Sequence, residues 1–288
     1  MMPAGLEPIV GRYLSLDFEG RRYRVYFEEA GEGIPLLCLH TAGADGRQYR
    51  GVLNDAEVTK RFRVIAFDMP WHGKSSPPQG FEREEYQLTR DFYTGFVVAF
   101  ADALSLLRPV VMGCSIGGRV VLNLAATHAD RFRALIGLQA SAHVAPYYDT
   151  GWLHHADVHG GEVCAGIVSG LVGPDAPAVH RWETLWHYMQ GGPGVFKGDL
   201  HFYKVDGDLR QRIATIDGTR CPLFLLTGEY DYSCSPAETQ EVAALVPGAK
   251  CSIMPGLGHF PMSEDPQRFL EHLRPVLSEI EDLARRAG

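Results

Sequence analysis

The 288-residue chain lacks several features, and each absence narrows its class. No apolar stretch approaches the roughly 18 to 20 residues that a membrane-spanning helix needs, so no span is expected. The opening Met1-Met2-Pro3-Ala4-Gly5 carries no basic segment followed by an apolar one, so it does not read as a signal peptide. No run of Lys or Arg exceeds two residues and the net charge is -8, so nucleic acid is not an expected partner. Six cysteines are too dilute for a disulfide scaffold, and no Cys-x-x-Cys occurs. Cys38, Cys114, Cys221 and Cys251 fall in or beside apolar runs. Buried free thiols in a reducing cytoplasm are the simplest reading. No internal repeat is visible.

What is present is ordinary for a globular protein: 45% hydrophobic and 22% charged residues, enough for one large domain or a core with an insertion. Arg12–Phe18 and Arg22–Glu28 read as two short antiparallel strands joined at Glu19-Gly20. Four continuous apolar runs follow as buried strands: Pro35–His40, Arg63–Asp68, Pro109–Cys114 and Ala134–Gln139. Leu223–Leu226 and Cys251–Met254 add two more. Between them lie helical patterns at Tyr86–Leu107, Ile116–His128 and Ala237–Val246, with a last helix at Pro266–Arg285. Apolar strands alternating with amphipathic helices predict an α/β fold, a mainly parallel sheet covered on both faces. Residues 142–215 break the alternation. They hold no convincing buried strand and are rich in Trp, Tyr, His and Gly, so they read as a helical insertion. The expected division is a core of 1–141 and 216–288 with a cap of 142–215 lying beyond the carboxyl ends of the strands, where such sheets bind ligands. Within that cap Gly191-Gly192-Pro193-Gly194 is a non-helical connection.

The chemistry concentrates at Gly113-Cys114-Ser115-Ile116-Gly117-Gly118. A buried strand runs into Gly-x-Ser-x-Gly, and Ile116, Val120, Val121 and Leu124 then mark one buried helix face. Strand, sharp turn and helix form the context in which this pattern exposes a nucleophilic serine. Gly113 and Gly117 leave room where a Cβ would meet the returning backbone. A serine hydroxyl needs a base, and the base needs an orienting acid. His259, flanked by Gly258 just past one strand, is the base candidate. Asp231, just past another, is the acid candidate, with Glu229 two residues earlier as its rival.

With those residues in place the chain resembles the α/β-hydrolase fold family, in its esterase, lactonase and carbon–carbon hydrolase branch. The resemblance covers about residues 22–141 and 216–285. It rests on His40-Thr41, Asp68 to Ser75, Gly113 to Gly118 and the Asp231/His259 pair, all in the family's order. It implies a Ser115–His259–Asp231 triad and an oxyanion hole made by the backbone N–H groups of Ile116 and Ala42. It also implies an acyl-enzyme route that uses no metal or cofactor. Two departures stand out. The family has His-Gly where this chain has His40-Thr41, and Trp71 precedes His72-Gly73 in the loop that follows Asp68. Thr41 and Trp71, with Trp152 and Trp186 of the insertion, are the candidates for contact with substrate.

Bland readings compete at each point. Cys114 reads as a small thiol filling the turn, and His40 as an anchor of its loop. His155 and His159 could share a helix face as metal ligands do, but no acidic partner accompanies them. The leading function is cleavage of a small to medium apolar or aromatic ester, lactones included. The nearest rival is a C–C hydrolase of meta-cleavage-type diketones, a branch that usually has Asn where Cys114 stands and a Gly-rich, Asn-containing loop where Thr41-Ala42 stand. Haloalkane dehalogenases and epoxide hydrolases need Asp in place of Ser115. A non-enzyme rival is a receptor or scaffold with a vestigial triad. A homodimer is a common outcome for cytosolic enzymes, and no residue pattern here adds to that expectation.

Overall fold

The computed structural model describes residues 5–145 and 160–287. Its strands are β1 (Val10–Phe18), β2 (Arg21–Ala30), β3 (Ile34–Leu39), β4 (Phe62–Phe67), β5 (Val110–Cys114), β6 (Ala134–Leu138), β7 (Leu223–Gly228) and β8 (Lys250–Met254). They form one eight-stranded sheet in the order β1-β2-β4-β3-β5-β6-β7-β8. β2 pairs antiparallel with both β1 and β4, and every other pairing is parallel. The six parallel strands therefore end at one edge, and each emits a loop there.

The helices in chain order are the one-turn α1 (Arg50–Leu53) and α2 (Ala56–Thr59), α3 (Arg90–Ala103) and α4 (Ile116–Thr127). After these come α5 (Gly160–Ser169), α6 (Ala178–Met189), α7 (Val195–His201), α8 (Pro236–Leu245), the one-turn α9 (Pro261–Glu264) and α10 (Pro266–Ala287). Strand residues alternate between two cores, as the two-residue period requires. Leu37, Leu39 and Val111 face the core that holds α3 and α4, whereas Leu36, Cys38, Val110 and Met112 face the one that holds α10. This is the expected sheet with both faces covered.

The helix expected at Tyr86–Leu107 is shorter at both ends. Thr89 caps it, its hydroxyl accepting from the Phe92 N–H. Tyr86–Leu88 instead run along the later insertion, with the Leu88 N–H donating to the Gly198 carbonyl at 3.1 Å. At the far end Ser105 adopts φ 54° and turns the chain away. Tertiary contact overrides a continuing apolar period here. The insertion between β6 and β7 contains α5, α6 and α7 and, among the described residues, no strand. α7 continues into a wider turn at Phe202–Asp206. Gly191–Gly194 link α6 to α7 outside any helix, with Gly194 at φ 75°.

α4 is buried from Ile116 to Ala125, because glycines let it lie almost on the sheet. A Cβ on Gly117 would stand 2.6 Å from the Leu39 carbonyl oxygen, and one on Gly118 would stand 2.4 Å from that of Leu138. Backbone cannot yield at that distance. Gly117→Ala is therefore expected to destabilise the fold by roughly 1–3 kcal/mol or more, read as a lower denaturation midpoint in urea.

Candidate active site

Ser115 sits between β5 and α4 at φ 60° and ψ −113°, a conformation costly for any residue but glycine. Its backbone is held on both sides. The Ser115 N–H donates to the Leu138 carbonyl at 3.1 Å, and its carbonyl accepts from the Arg119 N–H at 2.8 Å. Cys114 is fully buried, and burial pushes its thiol well up, so it is no nucleophile. It has a structural use instead: its Sγ donates to the His259 carbonyl at 3.2 Å, fastening the histidine loop to the serine turn.

Asp231 and His259 follow β7 and β8 at the same edge. His259 Nδ1 lies 2.8 Å from Asp231 Oδ2, and both side chains are buried. A carboxylate oxygen with no proton to give fixes Nδ1 as the donor, which leaves Nε2 as the basic nitrogen. The other carboxylate oxygen, Oδ1, accepts from the Ser233 and Cys234 N–H groups at 2.7 and 3.0 Å, so the acid cannot swing away. Glu229, the rival acid, turns elsewhere and accepts from the Gly256 N–H.

The loop after β3 supplies Thr41-Ala42-Gly43. Among the described residues neither the Ala42 N–H nor the Ile116 N–H donates to an acceptor. Two amides without an acceptor, one of them next in the chain to the buried Ser115, can receive an anionic oxygen. Thr41 explains its own presence in place of glycine. Its N–H and hydroxyl both meet Gln48 Oε1 at 3.1 Å, and the hydroxyl also bonds Tyr188 of α6. That hydroxyl is committed to holding the loop.

Two histidines behind this loop carry opposite protonation. His40 Nδ1 faces the Thr41 carbonyl at 2.9 Å, while its Nε2 accepts from the Met69 N–H at 3.0 Å, so the ring is neutral. Burial, and then the neighbouring His72, lower it to about 4. His72 has acceptors on both sides, the Pro70 carbonyl at 2.9 Å and Asp199 Oδ2 at 2.8 Å, which calls for the doubly protonated ring. Burial alone would lower His72, but the charge and hydrogen bond of Asp199 outweigh it and raise it.

The expected aromatic contacts are redistributed. Trp186 is 60% exposed on α6, because the buried face of that helix is carried by Thr184, His187 and Tyr188. Trp71 packs edge-on against Phe81 and tilted against Tyr86, rings that follow it in its own loop region. Trp152, His155 and His159 lie outside the described residues. No group of three or more His, Cys, Asp or Glu among the described residues is arranged to hold a metal. All six cysteines are free thiols, Cys251 half-buried and the others buried.

Several supporting residues escaped the sequence reading. Gln139, at φ 48° after β6, donates from Nε2 to the Gly258 carbonyl at 2.7 Å, beside His259. Glu264 is fully buried and accepts from the Gly258, Gly173 and Phe260 N–H groups, binding the histidine loop to the insertion; burial pushes its carboxyl up to about 7. Arg119 is fully buried and donates to the Ser141 and Tyr203 carbonyls. A polar residue directly after an apolar strand was the available signal for Gln139. Arg119 sits in an apolar helix pattern and Glu264 beside a surface-like acidic pair, so neither had one.

Residues 36–272 match the Alpha/beta hydrolase family. The chain belongs to that family. An uncharacterized protein of Mycobacterium tuberculosis is 26% identical over 284 residues, covering 90% of this chain and 80% of that protein. The 2-hydroxymuconate semialdehyde hydrolase of a Pseudomonas species is 34% identical over 125 residues, 42% of this chain and 41% of its own. The enol-lactonase of Burkholderia xenovorans LB400 superposes with a TM-score of 0.80 at 21% identity, covering 93% of this chain and all of that one. The chain is thus an α/β hydrolase, and no helix among its described residues is long and apolar enough to cross a membrane.

The neutral His40 makes a pH prediction. Its folded pKa, about 4, lies below the ordinary histidine value of about 6.5. A group lowered on folding stabilises above its unfolded pKa and loses that contribution as pH falls through the folded one. The His40 contribution to stability, roughly 3 kcal/mol, should therefore be lost as pH falls from about 6.5 to 4, while the raised Glu264 carboxyl gains over the same window. The stability advantage of wild type over His40→Gln should accordingly shrink as pH falls through that window, measured by urea denaturation of both proteins at stepped pH.

Proposed function

We propose that this α/β hydrolase cleaves carboxylic esters, small to medium in size with an apolar or aromatic part and lactones included, through an acyl-enzyme on Ser115. The observation that carries this reading is the buried His259–Asp231 pair at 2.8 Å, tied through the Cys114 thiol to the strained turn that presents Ser115. His259 Nε2 takes the Ser115 proton as the hydroxyl oxygen attacks the ester carbonyl. Asp231 keeps the ring in the tautomer that can do so and offsets its charge once protonated. The tetrahedral oxyanion is received by the Ile116 and Ala42 N–H groups. His259 then returns the proton to the leaving alcohol, and a water deprotonated by the same nitrogen releases the acid. Every step uses groups of this chain, and none calls on a metal or an organic cofactor.

The segment 142–215 serves as a cap over this edge, with 1–141 and 216–288 as the core. α5, α6 and α7 lie within it, and its Leu171, Tyr188 and Asp199 reach the loops that carry His259, Thr41 and Gly43. The enol-lactonase likeness is consistent with an internal ester as substrate. Six free thiols fit a cytoplasmic setting. C–C hydrolysis is the second reading, favoured by the partial match to a 2-hydroxymuconate semialdehyde hydrolase.

A panel of aryl esters, acyl-chain lengths and lactones tests the reading, with a fluorophosphonate probe for the serine. Wild type should turn over one ester class with a burst and take the label. Ser115→Ala should lose both. Asp231→Asn should lower kcat on the order of 10³- to 10⁴-fold while still binding substrate. A wild type that bleaches a coloured meta-cleavage product faster than it cleaves any ester would reverse the ranking. One that neither labels nor turns over any substrate, yet binds a ligand tightly, would make the chain a binding protein.

A further inference from the structure

The loop that carries Ala42 is held from two sides, by Gln48 of the core and by the segment 142–215. Thr41 bonds Tyr188 of α6. Gly43, at φ 66°, is pressed against α7 so closely that a Cβ would stand 2.8 Å from the Phe196 ring. Its N–H donates to Asp199 Oδ2 at 2.7 Å. Asp199 is itself fully buried on α7 and spends its remaining acceptors on His72 Nε2 at 2.8 Å and the Tyr86 hydroxyl at 2.8 Å. Tyr86 in turn lies against Gly198, where a Cβ would meet its ring at 2.3 Å.

A bare carboxylate one residue from an oxyanion site would oppose the charge that develops there. His72 removes that conflict, since its two acceptor neighbours require the imidazolium form. His40, ring to ring with His72 at 4.7 Å, is neutral and adds no charge of its own. We propose that Asp199 is a positioning residue for the reaction: from the insertion it grips the Gly43 N–H and so aims the Ala42 N–H at the oxyanion, while His72 cancels its charge. The oxyanion hole is then complete only when the insertion is seated. This rests on the ester-hydrolase reading for its kinetic consequence, but not for its structural one.

The test compares wild type, Asp199→Asn and Asp199→Ala as full-length proteins. Kinetics use the best aryl ester, phenylboronic acid serves as a tetrahedral adduct of Ser115, and amide hydrogen exchange is read over residues 40–46. Asp199→Ala should lower kcat by about tenfold or more, as loss of an oxyanion donor does. KM should stay within about threefold, and boronate affinity should fall in step with kcat. Exchange over 40–46 should rise in this variant. Asp199→Asn keeps an oxygen for the Gly43 N–H, so it should fall between the two in all three readouts. Should the alanine variant not fold, Asp199→Asn carries the test alone, and wild-type kcat and boronate affinity in it would overturn the proposal. So would a rise in KM with kcat and boronate affinity unchanged, which would make Asp199 a pocket residue. If wild type cleaves no ester, the hydrolase reading falls by itself, and exchange still decides: protection over 40–46 that is unchanged in Asp199→Ala sinks the positioning role.

Discussion

The closeness of α4 to the sheet governs this molecule. Gly117 and Gly118 let the helix lie where their missing methyls would strike the Leu39 and Leu138 carbonyls. That contact fixes the turn at Ser115 in its unfavourable φ, and it sets where the helix N-terminus points. Packed interiors do not deform by fractions of an ångström without cost, so the serine is held by the whole sheet and not by its own turn. The histidine loop is registered to the same point through the Cys114 thiol and Gln139.

Around that fixed point three buried carboxyl groups are each answered by several donors. Asp231 takes three donors, Asp199 takes three, and Glu264 takes three. Buried carboxylates are tolerated only with such partners. Each also joins two separate loops: Asp231 the turns after β7 and β8, Asp199 the insertion and the loop after β3, Glu264 the histidine loop and the insertion. The same requirement that makes burial affordable therefore makes the edge rigid, and a rigid edge is what preorganised hydrogen-bond donors need.

Much of the fold was legible because its signals are local. A continuous apolar run such as Leu36–Leu39 has one economical reading, a strand covered on both faces, and the sheet follows that reading closely. Ser115, Asp231 and His259 stood out because each follows such a run within a few residues, and parallel strands bring their ends together. The errors are equally physical. Tyr86–Leu88 keep the helical period yet lie outside the helix, since the insertion offers the Leu88 N–H a partner. Trp186 looked like a pocket aromatic but stands in water, because the composition of α6 does not say which of its faces meets the core.

By itself the sequence determined the element types, the sharp turn at Gly113–Gly118 and the chemical kinds of side chain at each strand end, since periodicity and steric room are properties of neighbouring residues. Only the tertiary structure decided that His72 is charged while His40 is neutral. It alone joined Asp199 to Gly43, 156 residues away in the chain, and turned Thr41 inward to Tyr188 and Gln48. Protonation and hydrogen-bond partnership depend on which groups burial brings within about 3 Å, and no local pattern carries that distance.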